Sequence, residues 1–233
     1  MYRYETHMHT SPVSKCAKAD VWETLRFYRE KGYDGVFLTN HFLDGNINIS
    51  PEKSYGEKLD FYLSDYTLSR QVGAELGLKV FFGVELSYGG TDFLIYGLPP
   101  AWYAAHPEIM ELSKREELEF MRREGALVIQ AHPCRSAHYI DHIRLYPQSV
   151  DGVEVLNACR TELENRMAAL YAENYGLLRI AGSDNHVAGE ISRLAGIETE
   201  APLQCEEDFI QAVRNHKTVI FQEVLRSAPE QGK

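Results

Sequence analysis

The segment YETHMHTS, residues 4–11, places two histidines two positions apart at the end of a run that we predict to be the first β-strand. Alternate residues of a strand lie on the same face, so His7 and His9 are expected to point in one direction. Such a pair also arises by chance in a chain with nine histidines. The positions of the other polar residues along the chain decide between these two interpretations.

The composition predicts a single folded domain over residues 1–233, because 44% of the residues are hydrophobic and 25% are charged. A net charge of −10 disfavours long nucleic acid and acidic membranes as partners. The opening segment MYRYETHMHT has no apolar signal-peptide core, and no run approaches the roughly 20 apolar residues of a membrane span. We predict a cytoplasmic protein with reduced thiols, because the cysteines lack CxxC spacing; they are Cys16, Cys134, Cys159 and Cys205.

Short apolar runs alternate with amphipathic stretches along the chain. A first helix is predicted from Asp20, because Glu23 completes a capping pattern, and Gly32 ends it. Further helices are predicted within 50–78, 107–125, 160–176 and 205–216. Apolar runs predict strands within 35–41, 79–86, 92–98, 126–133, 151–157, 177–186 and 217–221. This alternation favours an α/β fold with a parallel sheet, either open or closed into a barrel.

Polar side chains follow these predicted strands at the point where each strand ends. They are His7, His9, His41, Glu85, His132, Glu154, Asn157, Asp184 and His186. The carboxyl ends of barrel strands are where separate loops assemble an active site. The remaining histidines fall on predicted helix surfaces or loops; they are His106, His138, His142 and His216. The sequence therefore favours a functional interpretation of His7 and His9.

Imidazoles combined with carboxylates indicate a site for Mn²⁺, Fe²⁺ or Zn²⁺, whereas Mg²⁺ and Ca²⁺ prefer oxygen ligands alone. Two such ions about 3.5–4 Å apart are typical of enzymes that cleave phosphate esters. The cysteines are not needed for this chemistry.

The ordered motifs resemble those of the PHP superfamily, the polymerase and histidinol phosphatase domains. They read HMH at 7–9, TNH at 39–41, GVE at 83–85, AHP at 131–133 and GSDNH at 182–186. The resemblance implies a distorted seven-stranded (β/α) barrel with two or three metal ions at its mouth. It further implies that His7, His9, Glu85 and Asp184 hold one ion. Glu85 would bridge to a second ion, also held by His132, and His41 and His186 would approach a third.

The chain departs from the family pattern at three places. Asp92 occupies a position where relatives often have a histidine; we predict it as a ligand of the second metal, or else a turn residue. Asn40 stands where an aspartate is common. The segment Ser14-Lys15-Cys16 replaces an Asp or His that often serves a third metal. Cys16 could ligate zinc, Lys15 could place a positive charge there, or both could be ordinary loop residues.

Three arginines near the predicted strand ends are candidates for substrate binding: Arg135, Arg160 and Arg193. A guanidinium group binds a phosphate through two parallel hydrogen bonds. Each arginine could equally be a solvated surface residue, and Arg135 is the first choice because it follows His132 closely. Glu154 and Asn157 could orient ligands or form hydrogen bonds at the edge of the core.

The sequence thus predicts a metal-dependent phosphoesterase for a small phosphorylated molecule, with histidinol phosphate or a nucleotide as candidates. Glu85 and Asp184 would hold the metals, and His186 or, as the second candidate, a metal-bound water would protonate the leaving group. Two alternatives stay open: a barrel hydrolase of C–N bonds, and a non-catalytic metal-binding protein. The native metal and the oligomeric state are not determined by the sequence.

Overall fold

The computed structural model describes residues 1–225 as a nine-stranded mixed sheet surrounded by helices. The last residues of the predicted single domain, 226–233, lie outside the described residues. The strands are β1 (Tyr2–Met8), β2 (Gly35–Leu38), β3 (Lys79–Tyr88), β4 (Thr91–Tyr96), β5 (Leu127–Ala131), β6 (Gly152–Asn157), β7 (Leu178–Gly182), β8 (Arg193–Thr199) and β9 (Thr218–Val224). The helices are α1 (Val21–Glu30), α2 (Tyr55–Leu76), α3 (Pro100–Ala105), α4 (Lys114–Arg123), α5 (Glu162–Tyr175) and α6 (Glu206–Arg214). Short 3₁₀ turns cover Pro107–Glu111 and Ala188–Glu190.

The sheet curls into a nearly closed barrel. Its strand order is β7-β6-β5-β4-β3-β2-β1-β8-β9. The last part of β1 returns to the end of β7, where the amide of Asp184 donates to the carbonyl of His7 and the amide of His9 donates to the carbonyl of Asn185. We call this junction the β1–β7 seam. The first part of β1, at Tyr2–Tyr4, instead pairs with β8.

The α/β barrel class is confirmed, although the sheet has nine strands rather than seven and is mixed rather than parallel. Strand β4 runs antiparallel to both β3 and β5. Strands β8 and β9, which are separated in the chain by α6, form an antiparallel pair that extends the sheet from β1. The sequence did not indicate β8, because RLAGIET follows a loop and is interrupted by Gly196. Gly196 is required there, since a Cβ atom would lie 2.3 Å from the carbonyl oxygen of Tyr4.

The helices begin and end where the local sequence provides caps. The Asp20 side chain accepts a hydrogen bond from the amide of Glu23 at the start of α1, as predicted. Complete capping boxes open α2, α4 and α5 at Ser54, Ser113 and Thr161. Such caps satisfy backbone amides that have no partner inside the helix.

One end of the barrel is filled with hydrophobic side chains. Phe209 of α6 packs against Phe37 of β2 and Tyr96 of β4, with ring centroids 4.4 and 4.9 Å apart. This cluster also includes residues of β1, β3, β5, β7 and β8. The polar side chains predicted at the strand ends lie at the other end of the barrel, opposite this hydrophobic cluster.

No helix within residues 1–225 is long and apolar enough to cross a membrane.

Candidate metal centre

The carboxyl ends of the strands surround a cavity of about 680 Å³, which we call the central cavity. Glu85 lies in β3, whereas His9, His41, His132 and Asp184 lie just beyond the ends of β1, β2, β5 and β7. The residues lining the cavity include Cys16, His41, Glu85, Asp92, His132, Arg135, Cys159, Arg160, Asp184 and His186. The barrel therefore collects side chains that are far apart in the sequence.

His7, His9 and Asp184 form one group able to hold a metal ion, with ligand atoms within 4.8 Å of one another. The Nε2 atoms of both histidines lie 3.5 Å from Oδ1 of Asp184. They also face Glu85, at 3.1 Å from Oε1 for His7 and 3.4 Å from Oε2 for His9. Two imidazole nitrogens and two carboxylates in this arrangement suit a divalent transition metal.

His132 extends this arrangement on the side of Glu85. His7, Glu85 and His132 form a second group of converging ligand atoms, and Nε2 of His132 lies 3.5 Å from Oε1 of Glu85. Because Glu85 takes part on both sides, its carboxylate is placed to bridge two ions.

His9, His41 and His186 form a third group. The ring of His9 stacks between the other two, with centroids 4.5 Å from His41 and 4.2 Å from His186. Nδ1 of His41 also lies 2.7 Å from Oε2 of Glu85. The third group therefore adjoins the first two.

Several of these atoms are buried without a hydrogen-bond partner: His7 Nε2, His9 Nε2, His41 Nδ1 and both carboxylate oxygens of Glu85. Buried polar atoms in folded proteins normally have partners, because leaving them unpaired is costly. Here the unpaired atoms converge on common points and consist of imidazole nitrogens and carboxylate oxygens. The residues present thus fit divalent metal ions.

Glu154 of β6 holds the ligands in position from below. Its Oε1 lies 2.9 Å from Nδ1 of His7, and its Oε2 accepts hydrogen bonds from the amide of His132 and from the side chain of Asn157. A carboxylate on the outer nitrogen of a histidine fixes the ring and makes the inner nitrogen a better ligand. Of the alternatives that the sequence left open, the geometry favours the orienting role for Glu154 and Asn157.

A second support orients His9. The hydroxyl of Ser14 lies 3.2 Å from Nδ1 of His9 and donates to the side-chain oxygen of Asn40. Asn40 itself donates to Asp65, which also accepts from Thr10. Asn40 therefore acts through hydrogen bonds beneath the cavity rather than in it.

The buried charges of the cavity act on one another: burial acts to lower the pKa values of His7 and His41, but the nearby carboxylates outweigh it and raise both well above the ordinary range, so a binding metal would displace protons from these rings. Burial acts to raise the pKa of Glu85, but the neighbouring His41, His7 and His9 outweigh it and hold that pKa well below its usual range. Asp184 behaves in the same way, with His7 as its main opposing charge. Burial, together with His186 and His41, lowers the pKa of His9 well below its ordinary value. These carboxylates are therefore ionised and His9 is neutral, as metal ligands must be.

The backbone is strained at two of the strand ends. His132 and Asp184 adopt positive φ angles of 25° and 54°, which residues other than glycine rarely do. Strain of this kind persists only where surrounding structure enforces it and is common at functional sites. Here the strained backbone aims both side chains into the central cavity.

Asp92 lies at the edge of the group that it was predicted to complete. Its Oδ2 is 3.9 Å from Nε2 of His132 but only 3.1 Å from the guanidinium of Arg135. Among residues 1–225 it is not part of any of the three converging groups. The geometry places Asp92 first as the partner of Arg135, and its role as a ligand stays a prediction.

The three predicted arginines lie in different surroundings. Arg135 and Arg160 line the central cavity, and each has a buried Nε without a hydrogen-bond partner. Arg160 also lies 3.8 Å from Asp184. Arg193, the first residue of β8, instead donates to the backbone carbonyl of Arg160 and is not among the lining residues. The structure therefore brings two of the arginines to the site.

Two cysteines also line the cavity. Burial acts to raise the pKa of the Cys16 thiol, but hydrogen bonds with His186 and His41 outweigh it and lower that pKa to about 6. The thiol of Cys159 donates to the carbonyl of Asp184 instead. The sequence offers one signal for this residue, since Cys159 lies two residues after the predicted strand 151–157. Lys15 is exposed and does not line the cavity.

Comparisons with known proteins support the fold. A family model described as PHP-associated matches residues 162–218, and no curated protein matches the sequence. A two-domain protein from Bacteroides vulgatus, containing a PHP-like metal-dependent phosphoesterase assigned by prediction, aligns with a TM-score of 0.68 at 15% identity. The alignment covers 94% of this chain and 64% of that one, so this chain spans less than two thirds of that protein.

Two further solved structures are similar. A proposed metal-dependent phosphoesterase from Bifidobacterium adolescentis has a TM-score of 0.57 and 12% identity, with 90% of this chain and 94% of that chain covered. An amidohydrolase from Chromobacterium violaceum, with bound sulfate and no metal, has a TM-score of 0.51 and 15% identity, with 93% and 97% covered. The resemblance to the PHP superfamily is thus confirmed in the fold and in the segment 162–218.

Proposed function

Starting from a chain with the fold of PHP-like structures, we propose that it is a metal-dependent phosphoesterase that hydrolyses a small phosphorylated molecule. The observation that carries this proposal is the position of Glu85, whose two buried oxygens face His7 and His132 on one side and His9 and His41 on the other. A pair of divalent ions, when bound, supplies an activated water and neutralises phosphoryl oxygens.

The residues of the chain divide this work. Glu85 and Asp184 contribute the negative charge that would retain the metals, and the imidazoles would complete the ligand sets. Glu154 keeps His7 and His132 in place. Arg135 and Arg160 offer guanidinium groups at the cavity wall, where they would bind and orient phosphate oxygens.

The geometry favours His186 as a ligand rather than as the acid for the leaving group. Its Nδ1 contacts the carbonyl of Asp184 at 2.9 Å, which leaves Nε2 for the group formed with His9 and His41. A nitrogen that holds a metal cannot also hold the transferred proton. We therefore assign protonation of the leaving group to a water molecule in place of His186.

The two cavity arginines favour phosphate over amide substrates. A C–N hydrolase acts on a neutral group, which needs no pair of partly buried guanidinium groups. The similar fold of an amidohydrolase with bound sulfate keeps the C–N hydrolase alternative worth testing.

A substrate screen tests the proposal. Protein loaded with Mn²⁺ or Zn²⁺ is incubated with small phosphate esters, including histidinol phosphate and nucleotides, and in parallel with amides. We expect phosphate release from at least one ester, lost in Glu85→Gln and kept in Glu162→Gln, a control at an exposed position on α5. Release of amine with no release of phosphate would favour the C–N hydrolase, and retained metal without turnover of either class would favour a non-catalytic protein.

Arg135 permits a sharper test of substrate class. Removing its guanidinium in Arg135→Ala is expected to raise KM for a phosphate ester by about tenfold or more, corresponding to at least 1.4 kcal/mol, while metal content stays unchanged. If Arg135→Ala instead loses metal while its KM stays unchanged, Arg135 is assigned to the support of Asp92.

A further inference from the structure

A second cavity, of about 400 Å³, adjoins the central cavity and is lined by Asp44, Ser87, Ile109, Lys114 and Glu117 among others; we call it the side cavity. Asp44 and Ser87 line both cavities. Ser87 lies two residues after Glu85 in β3, so the two side chains point to the same face of the sheet. A strand face that begins at a proposed metal ligand therefore leads into the side cavity.

Polar groups without partners lie where the two cavities meet. The half-buried hydroxyl of Ser87 makes no hydrogen bond to another residue within 1–225. Asp44 accepts from Lys114 through Oδ2, whereas its Oδ1 is buried without a hydrogen-bond partner. Because polar atoms in such surroundings normally have partners, this junction has room for the hydrogen bonds of a ligand.

The charges of the side cavity balance one another. The ammonium of Lys114 lies 2.6 Å from Asp44 and 2.5 Å from Glu117. Burial raises the pKa of Glu117 to about 7, so near neutral pH one ammonium faces little more than one carboxylate. The side cavity thus presents both signs of charge at short distance, with no excess of either large enough to select an ion.

This mixture of groups favours a hydroxylated ligand. A second phosphate would meet the carboxylate of Asp44, and an ammonium group would meet that of Lys114. A hydroxyl group suits both, because it donates to a carboxylate oxygen and accepts from a hydroxyl or an ammonium. An alkyl chain would leave the hydroxyl of Ser87 without a partner.

We propose that the side cavity binds the leaving group of the substrate and selects a neutral, polyhydroxylated one, so that the molecule hydrolysed is the phosphate ester of a polyol or sugar. The inference rests on the proposed function, because it takes the phosphoryl group to lie in the central cavity. Hydrolysis transfers that group to water and releases the polyol, and no bond forms or breaks in the side cavity. Ser87 is then a residue that determines specificity.

Three esters with the same six-carbon chain test this selection: sorbitol phosphate, hexyl phosphate and aminohexyl phosphate. We measure kcat/KM for each with metal-loaded protein, and the dissociation constants of all three by calorimetry. The variants are Ser87→Ala and, as a matched control, Ser64→Ala, which changes an exposed serine of α2 that lines neither cavity. Metal content and circular dichroism are recorded for each variant.

We expect the wild type and Ser64→Ala to favour sorbitol phosphate over the other two esters by at least about tenfold in kcat/KM. In Ser87→Ala this ratio should fall by about threefold or more, as loss of one hydrogen bond predicts. All three esters share the phosphoryl group, so a change that only disturbs the fold or the metals lowers every rate and leaves the ratios unchanged.

Ratios near one in the wild type, or ratios unchanged in Ser87→Ala, would overturn the inference while hydrolysis itself upholds the proposed function. Absence of hydrolysis for all three esters would count against the proposed function, and the dissociation constants would then decide on the side cavity. Tighter binding of sorbitol phosphate that depends on Ser87 would support the inference in that case, and equal affinity for the three esters, or no binding of any, would overturn it.

Discussion

Glu85 is the residue on which the proposed centre depends most. Its carboxylate is buried and faces four imidazoles, one of which is that of His41 at the edge of the cavity. A ligand shared by two ions contributes to the affinity for both of them. Removing this carboxylate should therefore weaken metal binding at more than one metal position.

Glu85→Ala is expected to lose most of the bound metal and to lose activity, whereas His41→Ala should lose about one equivalent and keep the rest. The measurement is elemental analysis after dialysis against Mn²⁺ or Zn²⁺, with the ester assay alongside. Full metal content and turnover in Glu85→Ala would contradict the bridging assignment. Glu162→Ala, at an exposed position, serves as the control.

At the scale of residues, the sequence predicted cavity residues at strand ends better than cavity residues in loops. His7, His41 and His132 could be placed because a strand end fixes where the next side chain lies. Arg193 could not, since nothing in the sequence shows that β8 turns its guanidinium towards a backbone carbonyl. The contact of Cys16 with two imidazoles likewise depends on loop hydrogen bonds to distant segments.

At the scale of elements, the β1–β7 seam requires a residue without a side chain. A Cβ atom on Gly182 would lie 2.5 Å from Cβ of His7 and 2.8 Å from Oε1 of Glu154. Gly182 therefore allows β7 to approach the strand that carries two ligands. A larger residue must displace either His7 or Glu154.

Gly182→Ala is expected to lower the free energy of unfolding by about 1–3 kcal/mol and to weaken metal binding, because His7 must move. Gly56→Ala in α2 is the matched control: its Cβ would have no heavy atom within 4 Å, and alanine should stabilise the helix by up to about 1 kcal/mol. Denaturant unfolding of both variants checks this. Equal stability for the two variants would show that the seam has room to adjust.

Helix α4 is attached to the loop after β2 by a buried charge cluster. Lys114 contacts Asp44 at 2.6 Å and Glu117 at 2.5 Å. Burial raises the pKa of Glu117 to about 7, with Lys114 opposing the change and Asp44 adding to it. The folded protein therefore holds a proton on Glu117 that the unfolded chain releases at lower pH.

This proton makes stability depend on pH. The folded state binds more protons than the unfolded state between about pH 4.5 and 7, so the contribution of Glu117 is full below that window and declines as pH rises through it, by up to about 3 kcal/mol. Glu117→Gln removes the decline, so the variant should gain stability relative to the wild type at pH 8 compared with pH 4.5. Denaturant unfolding of metal-free protein measures this, with exposed Glu111→Gln as the control. A pH-independent difference would contradict it.

The elements were predicted unevenly for physical reasons. Helices with a clear cap, such as α1 at Asp20, began where the sequence indicated. The antiparallel course of β4 was missed, because the apolar run 92–98 is the same for either direction and only the turn at Gly89 and Gly90, both with positive φ, reverses the chain. The predicted helix 107–125 was divided, since Ser113 starts a new capping box inside it.

At the scale of the whole molecule, the proposed metals hold together segments from most of the barrel strands. A ligand that binds only the folded state stabilises it by about 2.7 kcal/mol at one hundred times its dissociation constant. Chelation should therefore lower Tm, and added Mn²⁺ or Zn²⁺ should restore it. Identical thermal unfolding with and without chelator would show that no metal binds the native protein. The histidines of the unfolded chain reduce the effect without reversing it.

The β1–β7 seam joins residues that are far apart in the chain, since the amide of Asp184 donates to the carbonyl of His7 across it. During synthesis the residues around His7 must wait until β7 has emerged before the first ligand group can exist. Contacts between such distant segments close late, because bringing them together costs chain entropy before it is rewarded. Metal should then act after the slowest step of folding. In stopped-flow experiments it should slow unfolding while leaving the refolding rate nearly unchanged, and faster refolding with metal would place seam closure early instead.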